Sequence, residues 1–256
     1  MWHQIVTIAK FTVLEAWRTR LPWAVVAALI LAACMSMFVK ELAITESNRV
    51  AVAFLAGIGR IAVVLMVSLY IVSTMAREFN DRVTDLTLSL ELPRASYVLG
   101  KLLGYGIVAT GIALSAGMLL LPFTGGIGWF IWTLSLVLEL WIVASLSLFC
   151  IVTFNQVMQA VGFVLAFYAL ARSIGAIQLI SASPLLANGE VTRSLTGGLL
   201  DIIAYLLPGL DRFTQTAWLV DIGANLNSLW LIVGQTAVYA ALLAAATLFD
   251  FQRRNF

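Results

Sequence analysis

The chain has 256 residues, of which 62% are hydrophobic and only 11% are charged, and its formal net charge is +2. A water-facing surface must be covered largely by polar side chains, so this composition excludes a soluble globular domain of that length. Nothing in the near-neutral charge balance indicates nucleic acid as a partner. The composition predicts a polytopic membrane protein.

Residues 1–20 are predicted to form an amphipathic helix in the membrane interface. The residues that share its apolar face at helical spacing are Trp2, Ile5, Val6, Ala9, Val13, Ala16 and Trp17. The alternative is an inward extension of the first span, but Pro22 favours a bend between the two segments.

Six apolar runs are long enough to cross a bilayer, since a spanning helix needs about 20 apolar residues. The runs do not alternate with period two, so they predict helices rather than barrel strands. They are Leu21–Val39, Val52–Met75, Val98–Pro122, Trp129–Thr153, Met158–Ile180 and Leu229–Phe249. The predicted fold class is an all-α polytopic membrane protein with a single transmembrane domain over residues 1–256.

The distribution of Lys and Arg predicts the orientation, because their excess in short loops marks the cytoplasmic side. The richer side has Lys10, Arg18, Arg20, Arg77, Arg82, Arg94, Lys101, Arg253 and Arg254, and the other side has Lys40, Arg49, Arg193 and Arg212. Both termini are therefore expected in the cytoplasm, which requires an even number of spans.

Residues 77–97, between the second and third spans, form a predicted cytoplasmic segment of mixed charge. Within it, 81–90 can form a short helix that begins near Asp81 and ends before Pro93. Asp85 lies in its early turns, where the helix dipole favours an acid. Val83, Leu86 and Leu90 form one apolar stripe on this helix, which needs a protein partner or the bilayer surface to cover it.

The third span is rich in small residues, which let helix backbones approach closely in lipid. They are Gly100, Gly104, Gly106, Ala109, Gly111, Ala113 and Gly117. Packing within the chain and a dimer interface both remain open.

Residues 181–228 form the longest predicted loop, outside the cytoplasm. Its apolar part, Leu195–Leu207, is too short to span and predicts a re-entrant or interfacial helix. A second short segment, Asp211–Val220, follows it before the last span.

Three ionisable residues lie inside predicted spans, where charge is expensive: Arg60, Glu139 and Arg172. We expect Glu139 to pair with Arg60 or Arg172, because pairing lowers the desolvation cost of both partners. The alternative is that each Arg extends outward and Glu139 faces a water-filled cavity.

The sequence predicts no catalytic site, metal site or cofactor. The only histidine, His3, precedes the first span, which disfavours an intramembrane protease. There is no phosphate-binding loop, since Gly100-Lys101 is followed by Leu102, so this chain should not hydrolyse ATP itself.

Four blocks of the chain resemble the permease subunits of type-2 ABC exporters. The block Leu92–Lys101 is similar to their entry to the third span, and Glu78 with residues 82–90 is similar to their acidic residue and coupling helix. The opening Ile8–Arg20 resembles their amphipathic lead-in, and Phe251–Phe256 resembles their C-terminal tail.

The resemblance implies a six-helix permease in the bacterial inner membrane that pairs with a second permease subunit and docks separate ABC ATPase subunits. It assigns ATPase coupling to the residues Glu78, Asp81, Arg82, Val83, Asp85, Leu86, Leu90 and Arg94. The mostly apolar interior favours a lipid-like or amphipathic cargo.

Two other functions remain open. One is a membrane scaffold that transmits ATPase motion to an accessory protein outside the cytoplasm without moving cargo. The other is a secondary transporter with Glu139 as the coupling carboxylate, which should have inverted repeats and broken helices that the sequence does not contain.

Overall fold

A computed structural model of the chain describes residues 2–42, 47–81, 93–124, 126–182, 207–220 and 226–253. The helices in these ranges are α1 (Trp2–Arg18), α2 (Leu21–Leu42), α3 (Ser47–Asn80), α4 (Arg94–Leu120), α5 (Ile127–Phe154), α6 (Val157–Ala182), α7 (Ala217–Val220) and α8 (Leu226–Arg253), with one 3-10 turn at Leu210–Arg212.

Six of these helices, α2 to α6 and α8, are long and apolar enough to cross a membrane. They coincide with the six predicted spans, so the all-α polytopic fold class is confirmed. Helix α5 is the central one, since 72% of its apolar stretch is buried, against 17% for α8.

The helices next to the predicted coupling segment are longer than expected. Helix α3 continues through Asn80, and α4 begins at Arg94 instead of Val98, so both ends of the segment 77–97 are helical. Five of the predicted coupling residues lie outside the described residues: Arg82, Val83, Asp85, Leu86 and Leu90.

An even number of spans brings α1 and the end of α8 to the same side of the helix bundle. The Arg94 guanidinium at the start of α4 donates a hydrogen bond to the Gln252 carbonyl near the end of α8, at 3.0 Å. We call this end of the bundle the α1 side, and the opposite end, where residues 207–220 lie, the loop side.

Helix α1 is separate from α2, as Pro22 predicts, and it packs against the first half of α4. Its buried residues are Ile5, Ala9, Thr12 and Ala16, whereas Trp2 and Trp17 are exposed. The contact depends on glycine, because a Cβ at Gly104 would lie 2.7 Å from the Thr12 Cβ, and one at Gly100 would lie 2.8 Å from the Ile8 Cβ.

Two further glycines of α4 also pack within the chain. A Cβ at Gly106 would lie 3.1 Å from the Trp141 ring, and one at Gly117 would lie 2.6 Å from the Thr133 side chain. Gly111 differs, since a Cβ there would have no neighbouring atom within 4 Å. The small residues of α4 therefore serve packing within the chain, with Gly111 as the exception.

We expect Gly104→Leu to separate α1 from α4, because a larger side chain cannot fit against Thr12. Overpacking of this kind costs about 1 to 3 kcal/mol. In a chain with Ala9→Cys, maleimide labelling of the buried position 9 should become faster. The matched control is Gly57→Leu, since a Cβ at Gly57 would meet no atom within 4 Å; equal labelling rates in the two variants would contradict this packing.

Candidate functional site

The first candidate site surrounds Glu139, at the middle of α5. Its side chain is fully buried, and both carboxylate oxygens accept hydrogen bonds. The Tyr168 hydroxyl of α6 donates to Oε1 at 2.7 Å, and the Thr214 hydroxyl donates to Oε2 at 2.7 Å. A buried carboxylate is tolerated when donors replace its lost water, so Glu139 is held by one neighbouring helix and by the segment before α7.

Thr214 forms hydrogen bonds with residues of all three helices that surround this site. Its backbone amide donates to the Ser135 hydroxyl of α5 at 3.0 Å, and its side chain is fully buried. Its φ is +44°, a left-handed conformation that is rare for a β-branched residue. Such backbone strain persists only where surrounding contacts impose it, which the hydrogen bonds of Thr214 do.

The two intramembrane arginines reach Glu139 through Thr214. Arg60 Nη1 donates to the Thr214 Oγ1 at 3.0 Å and to its carbonyl at 3.2 Å, and Arg172 Nη1 lies 3.4 Å from the same Oγ1. The structure has no ion pair within 4.0 Å between Glu139 and either arginine, all three of which it describes. The predicted charges therefore do meet, but the expected direct pair is replaced by a shared threonine. We call these four residues the charge cluster.

Arg172 also binds the backbone of the same segment. Its guanidinium donates to the Phe213 carbonyl at 2.8 Å and to the Leu210 carbonyl. Irregular backbone at membrane depth leaves carbonyls without helical partners, and a buried donor is needed to satisfy them. Arg172 is the buried donor that satisfies these carbonyls.

Residues 207–216 form a re-entrant segment between α3, α5 and α6. Thr214 lies level with Ser135, which is eight residues beyond the start of α5 at Ile127. Along the α5 axis, this places Thr214 about 12 Å from the loop-side end of that helix. The segment returns so closely past α5 that a Cβ at Gly128 would lie 2.0 Å from the Trp218 carbonyl oxygen. The sequence predicts a re-entrant or interfacial helix at Leu195–Leu207, of which the structure describes only Leu207, so that prediction lies outside the described residues.

A second candidate site joins α3 to α4 on the α1 side. The Glu78 carboxylate accepts a hydrogen bond from the Tyr97 hydroxyl at 2.7 Å and forms an ion pair with Lys101. Glu78 is 8% exposed and Lys101 is 7% exposed, so the pair is largely shielded from solvent. We call these three residues the α1-side junction.

Aromatic rings complete this junction. The Lys101 ammonium lies 6.0 Å from the Tyr97 ring centroid and 5.9 Å from that of Tyr105, within cation–π range. Tyr97 stacks on Phe251 of α8 with centroids 5.6 Å apart. The start of α4 is thus attached to the ends of both α3 and α8.

A cavity of about 450 Å³ with both apolar and charged lining residues opens beside the junction, between α1, α3 and α4. Its charged lining residues are Glu15, Arg77, Glu78, Asp81 and Lys101. Burial raises the pKa of the Glu15 carboxyl, and nearby Lys101 partly opposes this shift. The cavity lies directly at the end of α3, where the chain continues into residues 82–92.

Three of the predicted coupling residues are described, and they differ in position. Asp81 is exposed in the turn that ends α3, and Arg94 is exposed at the start of α4. Glu78 is buried in the junction and therefore positions α4 instead of presenting a surface to a partner. Sequence reasoning missed Tyr97 and Lys101, although their i, i+4 spacing on one face of α4 is a usable signal.

Within the described residues, no group of three or more His, Cys, Asp or Glu side chains could hold a metal ion. The fold and the two sites define a polytopic all-α membrane protein with a re-entrant segment fixed by buried charge. A comparison with protein-family models finds no match, and a comparison with curated protein sequences finds no relative.

Proposed function

We propose that this chain is the permease subunit of an ATP-driven ABC exporter in the bacterial inner membrane, with the α1 side and both termini in the cytoplasm. Separate ABC ATPase subunits bind residues 81–94 and α1 and hydrolyse ATP. A second permease subunit completes the translocation path. The chain itself is a transport subunit and not an enzyme.

The observation that carries this proposal is the α1-side junction. A permease must convert movement of a cytoplasmic segment into movement of spans, which requires that the segment be held rigidly at both ends. Residues 82–92 leave α3 just after Glu78 and enter α4 just before Tyr97, and these two residues are hydrogen-bonded to each other. A force on the segment therefore acts on α3 and α4 together.

Helix α1 supports the same proposal. It packs against α4 at Gly100 and Gly104, directly beside the junction. Asp81 at the end of α3 and Arg94 at the start of α4 are exposed, and Asp81 lines the same cavity as α1. The resemblance of four sequence blocks to type-2 exporter permeases, and the excess of Lys and Arg on this side, agree with it.

The charge cluster favours the second candidate function, a subunit that relays ATPase motion to an accessory protein. Helix α3 contributes Glu78 on the α1 side and Arg60 near the loop side, and Arg60 binds the re-entrant segment through Thr214. Movement of α3 would therefore be transmitted along one helix to residues 207–220. Transport of cargo in reconstituted vesicles distinguishes the two functions.

Changing both Leu86 and Leu90 to Asp tests the proposed function. In a helix over 81–90 these residues lie on the apolar stripe, and two carboxylates there would abolish docking of the ATPase. The tagged chain is purified from membranes of its host, and ATP-binding partners are labelled with azido-ATP. We expect a labelled separate polypeptide with the unaltered chain and none with the double variant.

The matched control is Thr84→Asp with Leu88→Asp, which adds the same charge on the opposite side of that helix. This control should retain the labelled partner. Loss of the partner in both double variants, or in neither, would contradict docking through the stripe.

A further inference from the structure

Apart from the cavity beside the α1-side junction, the fold has an apolar groove of about 300 Å³ between α1, α2 and α4. It lies beside the break between α1 and α2, and its lining includes Val13, Trp17, Val25, Val108 and Ile112. The hydroxyl of Ser115 is the one polar side-chain group in the lining apart from the Trp17 ring nitrogen, and it donates to the Ile112 carbonyl at 2.7 Å. The groove is therefore apolar along almost all of its walls.

Gly111 opens this groove on the α4 side. A Cβ there would meet no atom within 4 Å, whereas Gly100 and Gly104 on the same helix are covered by α1. The absence of a side chain at Gly111 leaves space that no described part of the chain fills.

The apolar walls of the groove and its position beside the spans indicate what occupies it. Water gains nothing in an apolar space without hydrogen-bond partners, and an empty groove loses dispersion contacts along its walls. The spans on either side bring the groove into contact with the bilayer, whose acyl chains have the matching shape and polarity.

The residues at the break between α1 and α2 define the headgroup. Arg18 and Arg20 are exposed, and their guanidinium groups have no hydrogen-bond or ion-pair partner within the part of the chain that the structure describes. Trp17 and Trp23, each 78% exposed, flank them, and exposed Trp beside Arg is typical of the headgroup level. We infer that the groove binds one acyl chain of an anionic phospholipid, with its phosphate bound by Arg18 and Arg20.

Native mass spectrometry of the delipidated full chain tests this inference. Phosphatidylglycerol or phosphatidylcholine with identical acyl chains is added back. Two arginines near a phosphate should favour the anionic lipid by roughly 30-fold. Arg18→Gln with Arg20→Gln should make the two lipids bind equally, and Gly111→Phe should weaken binding of both by at least about 10-fold because it fills the groove.

The matched control is Gly162→Phe, because Gly162 in α6 is also exposed and has no atom within 4 Å of an added Cβ. It should bind both lipids as the unaltered chain does, and the thermal unfolding midpoint of each variant establishes that it is folded. Equal binding of the two lipids by the unaltered chain would overturn the inference, and so would unchanged binding by folded Gly111→Phe. The outcome is independent of any ATPase partner, so it can fail while the proposed function holds.

Discussion

Glu139→Leu is expected to lower the free energy of unfolding by about 3 to 5 kcal/mol, which is the usual cost of removing one partner from a buried charged group. The substitution removes the acceptor of two buried hydroxyls, Tyr168 and Thr214. It also leaves the guanidinium groups of Arg60 and Arg172 close together without the carboxylate that offsets them. The free energy is measured by denaturant titration in mixed micelles.

The effect of Glu139→Leu should be local to the loop side. Hydrogen exchange of residues 207–220 should become faster, because the segment loses the hydrogen bond from Thr214 to Glu139 and keeps only the one to Ser135 on α5, while exchange in α1 stays unchanged. Glu139→Gln is the matched control, since an amide keeps an acceptor but loses the charge, and it should give an intermediate loss of stability. A Glu139→Leu chain as stable as the unaltered one would contradict the charge cluster.

Glu78→Leu is also expected to lower the free energy of unfolding by about 3 to 5 kcal/mol, because it leaves the Lys101 ammonium buried without a carboxylate. Lys101 is only 7% exposed and cannot regain full hydration without moving α4. The same denaturant titration measures the loss.

A double-mutant cycle separates the ion pair from other effects of Glu78→Leu. Adding Lys101→Met removes the orphaned charge, and buried ion pairs can often be replaced by apolar residues at small cost. The double variant should recover most of the lost stability, apart from about 1 to 3 kcal/mol for the Tyr97 hydroxyl, which loses its acceptor. Additive losses from the two single substitutions would show that the pair contributes nothing.

The helices can be predicted from the sequence because their signal is local. A run of about 20 apolar residues must cross the bilayer whatever it packs against, so the predicted spans agree with the observed helices to within several residues at most ends. The convergence of Arg60, Glu139 and Arg172 is also predictable, since isolated charge in lipid needs a partner. Only the existence of the cluster follows from this argument, and not its geometry.

The role of Thr214 could not be predicted. It lies 75 residues from Glu139 in sequence, in a stretch that Pro208 and Gly209 mark as a loop. Its positive φ follows from hydrogen bonds to three different helices, and a β-branched residue gives no local signal for that conformation. Long-range contacts of irregular backbone depend on the assembled bundle, which single-sequence patterns do not encode.

The α1-side junction could be predicted in part from the sequence. The resemblance alone assigns Glu78 to partner contact, but a carboxylate one turn from the end of an apolar helix can equally be satisfied within the chain. The spacing of Tyr97 and Lys101 indicates the second arrangement, and the structure has it.

We propose that separate ATP-hydrolysing subunits bind the α1 side. The most direct test is the mass of the assembly purified in mild detergent from its native membrane, measured by native mass spectrometry. We expect two permease subunits together with two copies of a separate ATP-binding polypeptide. A chain that purifies alone, or only with copies of itself, and carries no ATP-binding subunit would contradict it.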